Sequence, residues 1–447
     1  MKRELKPARK IGGMITVPGD KSIAHRAALL SILAEEPLQV TNYPNSVDCG
    51  RSLAAAQQLG VKVEQADDLL TLTPPSGPRI EPNTIIDCGN SGTTARLLAG
   101  IVAGSPLSAV LSGDGSLSNR PMKRIVDPLS SMGAEVYDTD GHLPLTIHGR
   151  KLLPFEYTLP IPSAQVKSSV LLAGLASRCS TVVREEAITR DHTELMVQAI
   201  GEGLTVRDVK PVMEPDPVDP RKKKMVMPES FKREITLGPG ARIHGGRIDI
   251  PGDISTAAFF FAVAALSGQT VTVENVGLNP TRTGFLDYLK MTGAKVEITD
   301  KAVVSGEARG TVTVTGEGIK PRKISGETTV GVIDEVPIIA VMAAFADGTT
   351  VVRNAAELRV KESDRLAAVA ENLSRMGVKC GLLEDGLAIE GGKELTGSDF
   401  SSFGDHRIAM AFSVASLFLV GPSTINDDSV VAISCPGFYD LLGRIAE

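Results

Sequence analysis

Six stretches of the chain are apolar on nearly every side. They are KSIAHRAALLSILA from Lys21, SGTTARLLAGIVAG from Ser91, SAQVKSSVLLAGLA from Ser163, ISTAAFFFAVAALSG from Ile254, DEVPIIAVMAAFADG from Asp334 and DHRIAMAFSVASLFL from Asp405. A helix with one apolar stripe lies on a surface, whereas one that is apolar all round belongs inside a domain, so these stretches predict six buried helices. Between them runs a second pattern, an amphipathic helix that stops at glycine and feeds a short alternating strand, as in LGVKV, MGAEV, TGAKV and MGVKC. Gly60, Gly133, Gly293 and Gly377 hold the helix ends, and Gly201 and Gly443 are assigned to the same slot. The interval between these glycines is too long for a solenoid repeat and suits a compact unit of two strands and two helices. Six such units fill the chain.

Two of the openings are near copies, PGDKSIAHRAALL from Pro18 and PGDISTAAFFFAV from Pro251, about half the chain apart. That separation implies duplication into two halves of three units. The Pro-rich, charged stretch from Thr205 to Arg242 reads as an exposed excursion near the junction, with Arg221 to Lys224 in a solvated loop. The last unit ends at Gly443 without room for a closing strand, so residues 1–17 are expected to pair with the C-terminal half. The expected organisation is α/β, with residues 21–241 as one domain, 1–20 plus 242–447 as the other, and the active site in the cleft between them.

Composition narrows the function classes. A net charge of −6 over 447 residues disfavours a generic nucleic-acid binder, and 4% aromatic residues with no Trp leave few platforms for stacking bases. No apolar run approaches the roughly 18 residues of a membrane span, and the N-terminus does not resemble a secretory signal, so a cytoplasmic location is the default expectation. Five scattered cysteines without C-x-x-C pairs read as reduced thiols. No H-E-x-x-H, Walker loop or Cys/His cluster appears. The expected partner is a small molecule, with no nucleic acid and no membrane.

Candidate chemistry gathers where the buried helices begin, because helix N-termini present free N–H groups and a partial positive charge to anions. Lys21 and Ser22 open the first helix, with Arg26 one turn on; Asn90 and Gly92 open the second; Arg120 precedes a further helix, where Lys123 and Arg124 are expected to face solvent. Ser163, Gln165 and Lys167 open the third. In the second half, Lys361 and Arg365 are read as one helical turn apart with Glu362 beside them, and His406 and Arg407 sit at the mouth of an apolar helix. Asp334 heads another, where taken alone it reads more readily as a cap than a base. If these N-termini converge, the cleft holds at least two anionic groups beside an acid–base pair, which points to a transferase or lyase acting on phosphorylated small acids.

PGDKSIAHR, GNSGTTARL, GDGSLSNRPM, PSAQVKSS, DEVPIIA, RVKESDRL and GDHRIAM, in this order along nearly the whole chain, resemble the 3-phosphoshikimate 1-carboxyvinyltransferase family of enolpyruvyltransferases. The resemblance implies two domains, each of three βαβαββ units. It implies transfer of enolpyruvyl from phosphoenolpyruvate to the 5-hydroxyl of shikimate 3-phosphate in aromatic amino-acid synthesis, with phosphate released and no metal or organic cofactor. It further implies that Lys21, Ser22, Arg26, Ser163, Gln165, Arg190, Asp334 and Lys361 serve shikimate 3-phosphate. Lys21, Asn90, Gly92, Arg120, Gln165, Arg365, His406 and Arg407 would serve phosphoenolpyruvate. Asp334, Lys361, Glu362 and Lys21 would be catalytic, with Asp334 the base toward the hydroxyl, Lys361 its partner and Glu362 the proton relay at C3. A clamp of this kind needs no second subunit, so a monomer is expected.

Some positions depart from other members. SCPGF, Ser434 to Phe438, lacks a lysine that many bacterial members carry, and Ala164 stands where some have serine. Gly92 is kept where glyphosate-tolerant members have alanine, so inhibition by glyphosate is expected. The sister transferase acting on UDP-N-acetylglucosamine carries a reactive cysteine where this chain has Gly115. A non-catalytic binder of phosphorylated metabolites would keep the cations but would have no need of Asp334, Lys361 and Glu362.

Overall fold

The six apolar stretches form the helices Lys21–Leu30, Gly92–Gly104, Ala164–Ser177, Ile254–Ser267, Val336–Ala344 and His406–Ser416, all deeply buried. This computed structural model describes residues 2–76, 84–215, 223–392 and 394–446. The core residues fall into two clusters. One runs from Ile23 to Ile250, and the other joins Leu5, Ile15 and Val17 to residues from Ile254 to Ile445.

Five of the six units repeat one topology. In the sheet that contains Thr84–Asp87, that strand pairs in parallel with Ser108–Ser112, with the buried helix Gly92–Gly104 between them in sequence. The helix Lys123–Ser131 then leads to the hairpin Glu135–Thr139 and His142–His148, whose second strand pairs antiparallel with Ser108–Ser112. The same order of one parallel and two antiparallel pairings recurs in the other four-stranded sheets. Gly60, Gly133, Gly293 and Gly377 have positive φ at the ends of their helices, the left-handed conformation that lets a helix stop and turn into a strand. Gly201 and Gly443 do not share that role: Gly201 is extended and starts the strand Gly201–Asp208, and Gly443 lies within the helix Phe438–Ile445.

The helices Gly92–Gly104 and Ala164–Ser177 touch backbone to backbone. A Cβ on Gly100 would lie 2.1 Å from Ser169 O, and one on Gly104 2.2 Å from Ala173 O, so side chains there would force the pair apart. This close approach explains the small residues of both helices.

The N-terminus behaves as the missing strand requires. Arg3–Leu5 pairs antiparallel with Ser423–Ile425 and completes the last sheet, while Gly13–Thr16 pairs in parallel with Thr270–Gly277. The return crossing differs from the expected boundary at 241. Gly246–Asp249 pairs in parallel with Leu38–Thr41, so the chain stays with the first half until about Ile250, because that half's opening sheet needs a first strand just as the other half takes Gly13–Thr16. The excursion is also narrower than expected: Gly201–Asp208 and Arg233–Ile243 are paired strands, and among the described residues a hairpin of Val212–Pro215 with Lys223–Val226 lies beyond them. Of the basic run, Arg221 and Lys222 lie outside the described residues, and Lys223 is in the hairpin.

Candidate active site

The duplicated Pro-Gly-Asp segments meet where the chain crosses between the halves, and each aspartate caps a buried helix. Asp20 Oδ1 accepts from Ile23 N at 3.0 Å, and Asp253 Oδ1 accepts from Ser255 N at 2.7 Å. Asp253 Oδ2 also accepts from Lys21 N at 3.2 Å, so the second half's cap holds the first residue of the first half's helix. Beyond this pivot opens a cavity of about 620 Å³ between the halves. Its lining carries eight Lys and Arg residues against six Asp and Glu, a positive interior in an acidic chain.

Among the residues singled out from sequence, Lys21, Ser22, Gly92, Arg120, Ser163, Gln165 and Arg190 reach this cavity from the first half, and Asp334, Lys361, Glu362, Arg365 and Arg407 from the second. Arg26, Asn90 and His406 lie behind the lining. Arg26 is buried and gives its N–H groups to Thr193 Oγ1 at 2.7 Å, Ser168 Oγ at 2.9 Å and Ser22 O at 2.9 Å; burial pulls its pKa down to about 10. Asn90 Oδ1 accepts from Arg120 Nη2 at 2.5 Å and so aims that guanidinium. The ring of His406 is buried with neither nitrogen hydrogen-bonded, and burial together with Lys21 holds it neutral, well below the usual imidazole range.

Asp334 is the electrostatic focus. It sits in a turn of 3-10 helix, Ile333–Glu335, and makes no capping bond to the helix that follows, so it is not the cap that it resembles when taken alone. Its carboxylate pairs with Arg190 from the opposite half, with Arg365 Nη1 at 3.4 Å and with Arg407 Nη2 at 3.7 Å. Burial alone would raise its pKa, but Arg190, Arg407, Lys361 and Arg365 outweigh burial and hold it well below the usual carboxylate range. Glu362 is treated alike: burial opposes ionisation, Arg365, Arg120, His406 and Lys21 favour it, and the pKa ends well below normal. Its carboxylate lies 2.7 Å from Arg365 Nη2, and its main-chain oxygen accepts from Ser116 Oγ at 3.1 Å across the cleft.

Arg365 joins these groups. Only 1% of it is exposed, and it spans Asp334, Glu362 and Asp405, with Nε 2.7 Å from Asp405 Oδ2. Asp405 in turn caps the helix His406–Ser416 through Arg407 N at 2.9 Å. Lys361 is not on the same helical turn as Arg365, as its sequence spacing suggests. It ends a short 3-10 helix, Ala356–Val360, in extended conformation, and the next helix starts only at Arg365. Its ammonium lies 3.6 Å from Glu357, and burial lowers its pKa despite Asp334 and Glu357.

Other partners were not legible. Lys21 Nζ donates to Asp48 Oδ2 at 2.9 Å. Its pKa is raised, since Asp48 and Glu362 outweigh burial. Arg96 Nη1 donates to Gln165 Oε1 at 2.8 Å, and burial beside Arg124 and Arg120 lowers its pKa to about 9. Of these only Arg96 had a sequence signal: it stands four residues after Gly92, the spacing at which Arg26 follows Ser22. Arg124, expected in solvent, is half-buried and bridges the halves through Glu357 at 2.9 Å. Gly92 admits the close approach of two guanidiniums: a Cβ there would lie 2.9 Å from Arg96 Nη1 and 3.3 Å from Arg120 Nη1. No helix among the described residues is long and apolar enough to cross a membrane.

Comparison with known proteins agrees with this architecture over the full length. The family model described as EPSP synthase (3-phosphoshikimate 1-carboxyvinyltransferase) matches residues 5–230 and 224–442. The 3-phosphoshikimate 1-carboxyvinyltransferase of Anaeromyxobacter sp. (strain K) is 43% identical over 98% of this chain and 95% of its own length. That of Herpetosiphon aurantiacus is 42% identical over 100% of both. The structure of EPSP synthase from Acinetobacter baumannii superposes with a TM-score of 0.81 at 37% identity, covering 100% of this chain and 98% of that one. The enolpyruvyl transferase NikO from Streptomyces tendae shares the fold, with a TM-score of 0.74 at 17% identity over 99% of this chain and 97% of its own. With its repeats, its cationic cleft and these relatives in agreement, the chain belongs to the EPSP synthase (3-phosphoshikimate 1-carboxyvinyltransferase) family.

Proposed function

We propose that the cleft transfers the enolpyruvyl group of phosphoenolpyruvate to the 5-hydroxyl of shikimate 3-phosphate and releases inorganic phosphate, a step toward the aromatic amino acids. The observation that supports this most is Asp334, a single carboxylate ringed by guanidiniums from both halves within a positive cavity. Two anionic substrates need several fixed cations, and arginine meets carboxylate and phosphate bidentately. In the reading that family membership suggests, Lys21, Ser22, Arg26, Ser163, Gln165 and Arg190 hold shikimate 3-phosphate beside Asp334 and Lys361. Lys21, Asn90, Gly92, Arg120, Gln165, Arg365, His406 and Arg407 form the phosphoenolpyruvate side.

The chemistry follows as addition and elimination. The 5-hydroxyl oxygen bonds to C2 of the enol as its proton passes to Asp334, and C3 takes a proton delivered through Glu362. The resulting tetrahedral ketal then loses phosphate, which takes up the proton held by Asp334, while the C3 proton returns to the Glu362 carboxylate to restore the double bond. A carboxylate held far below its usual pKa is a weak base, so the electrostatics require a further step. Each anionic substrate group that draws a guanidinium away from Asp334 raises its basicity, and substrate binding thereby arms the base. Lys361, with its lowered pKa, is proposed as the cation that steadies Asp334 while this happens.

The direct test is release of phosphate from the two substrates, with UDP-N-acetylglucosamine as parallel acceptor. Two further outcomes are expected. Because the ammonium form of Lys361 is the required one, activity falls as pH rises through its lowered pKa, giving an alkaline limb below the ordinary lysine value of about 10.4; Lys361→Arg should move that limb upward in a kcat/KM pH profile. Glyphosate should inhibit in the presence of shikimate 3-phosphate. Gly92→Ala should weaken that inhibition and raise KM for phosphoenolpyruvate, since the added methyl meets Arg96 and Arg120. Undiminished turnover at glyphosate well above the phosphoenolpyruvate level contradicts the first half of this expectation. The clamp is complete within one chain, and a cytoplasmic monomer is the proposed working form.

A further inference from the structure

Six consecutive residues, Thr189 to Glu194, each have a side-chain partner, and only the middle three of the six have one in the other half. The outer residues are tied to their own half. Thr189 donates to Glu185, Thr193 Oγ1 accepts from Arg26 Nε at 2.7 Å, and the Glu194 carboxylate lies 2.8 Å from the buried Lys167 ammonium, which is also 3.0 Å from Glu185. The middle three reach across. Arg190 pairs with Asp334; Asp191 bridges, its Oδ1 accepting from Asn279 Nδ2 of the other half at 2.8 Å and its Oδ2 from Arg233 Nη1 of its own at 2.8 Å; His192 lies between Glu307 Oε1, 2.6 Å from Nδ1, and Arg282 Nη1, 3.2 Å from Nε2. Arg282 also meets Asp20, which caps the Lys21 helix, at 3.3 Å, and Ser255 Oγ at 2.7 Å. His192, Glu307, Asn279 and Arg282 are all buried.

The bonds fix the form of the ring. Guanidinium only donates, so Nε2 is the acceptor and the proton resides on Nδ1, from which it is donated to Glu307. Resting on the functional reading above, we propose that Asp191 and His192 are positioning residues for enolpyruvyl transfer. They dock the segment carrying Arg190 onto the second half and so set the register in which Arg190 meets Asp334 beside the substrates. Neither lines the cavity, so they act through Arg190 and not by touching substrate.

The test uses the full-length protein and steady-state kinetics with both substrates, beside thermal unfolding of every variant. His192→Leu removes both bonds and should lower kcat/KM on the order of 10²-fold, the cost of a misplacement of about 1 Å. His192→Gln, whose amide can donate to Glu307 and accept from Arg282, should recover most of that loss. In an Arg190→Met background His192→Leu should cost little more, because the register it maintains no longer serves Arg190. Should His192→Leu fail to fold, Asn279→Ala, which leaves His192 and Glu307 paired, carries the same expectation of a loss that vanishes in the Arg190→Met background. Wild-type kcat/KM in folded His192→Leu or Asn279→Ala, a Gln variant no better than Leu, or losses that simply multiply with Arg190→Met would each overturn the proposal. Absence of turnover in the unmodified protein would instead count against the functional reading.

Discussion

Asp334→Asn is expected to lower kcat on the order of 10³-fold while the protein stays folded and still binds shikimate 3-phosphate. The asparagine is nearly the same shape but cannot take a proton from the hydroxyl, and the typical contribution of a positioned base is about 10²–10⁴-fold. It also frees Arg190, Arg365 and Arg407 from the one carboxylate they share, so the cavity becomes more attractive to anions. Calorimetry should therefore give shikimate 3-phosphate binding at least as tight as in the unmodified protein. A variant that turns over normally removes Asp334 from catalysis. One that loses substrate binding in proportion to kcat makes it a positioning group.

Arg365→Met is expected to be the most damaging single change to stability. It strands Asp405, Glu362 and Asp334 in a buried setting, and removing one partner of a buried ion pair costs about 3–5 kcal/mol. Arg365→Lys should not rescue it, because a single ammonium cannot span three carboxylates as the guanidinium fork does. The pH dependence carries a definite sign. In the unmodified protein Asp334 and Glu362 have pKa values depressed below their ordinary 3.8 and 4.5, so their contribution is full above those values and is lost as pH falls through the lower folded values. Without Arg365 the depression lessens and the carboxylates protonate sooner. The gap in unfolding free energy between the two proteins should thus be widest near neutrality and narrow progressively as pH falls below about 4. A gap constant with pH would place the effect in packing alone.

The parts of this structure that were readable in the sequence are those set by local chemistry. All-round apolar stretches gave buried helices because nothing else shelters such a surface, and Gly60, Gly133, Gly293 and Gly377 marked helix ends because the left-handed turn there favours glycine. A missing strand after Gly443 predicted that residues 1–17 pair with the C-terminal half, as Arg3–Leu5 does with Ser423–Ile425. What escaped is set by partners far apart along the chain. Gly246–Asp249 is an ordinary short strand whose half is decided by which sheet lacks a first strand. Arg124 reads as a surface residue until Glu357 from the other half is brought to 2.9 Å. Asp334 reads as a cap because a carboxylate before a helix usually is one; only the convergence of Arg190, Arg365 and Arg407 takes it away from the helix.

The same contrast holds within the site. Ser22, Gly92, Ser163 and Gln165 could be singled out because each opens a buried helix, and all four reach the cavity. Asp405, Asp48 and Arg282 could not, since their importance lies in the cations and caps they hold. Arg26 and His406 stand behind the lining, one bonded throughout to its own half and the other a neutral ring without hydrogen bonds.

Purified protein, treated with chelator and mixed with phosphoenolpyruvate and either shikimate 3-phosphate or UDP-N-acetylglucosamine, should release phosphate with shikimate 3-phosphate alone. Release with the nucleotide sugar, or with neither acceptor in protein shown to be folded, would contradict the account.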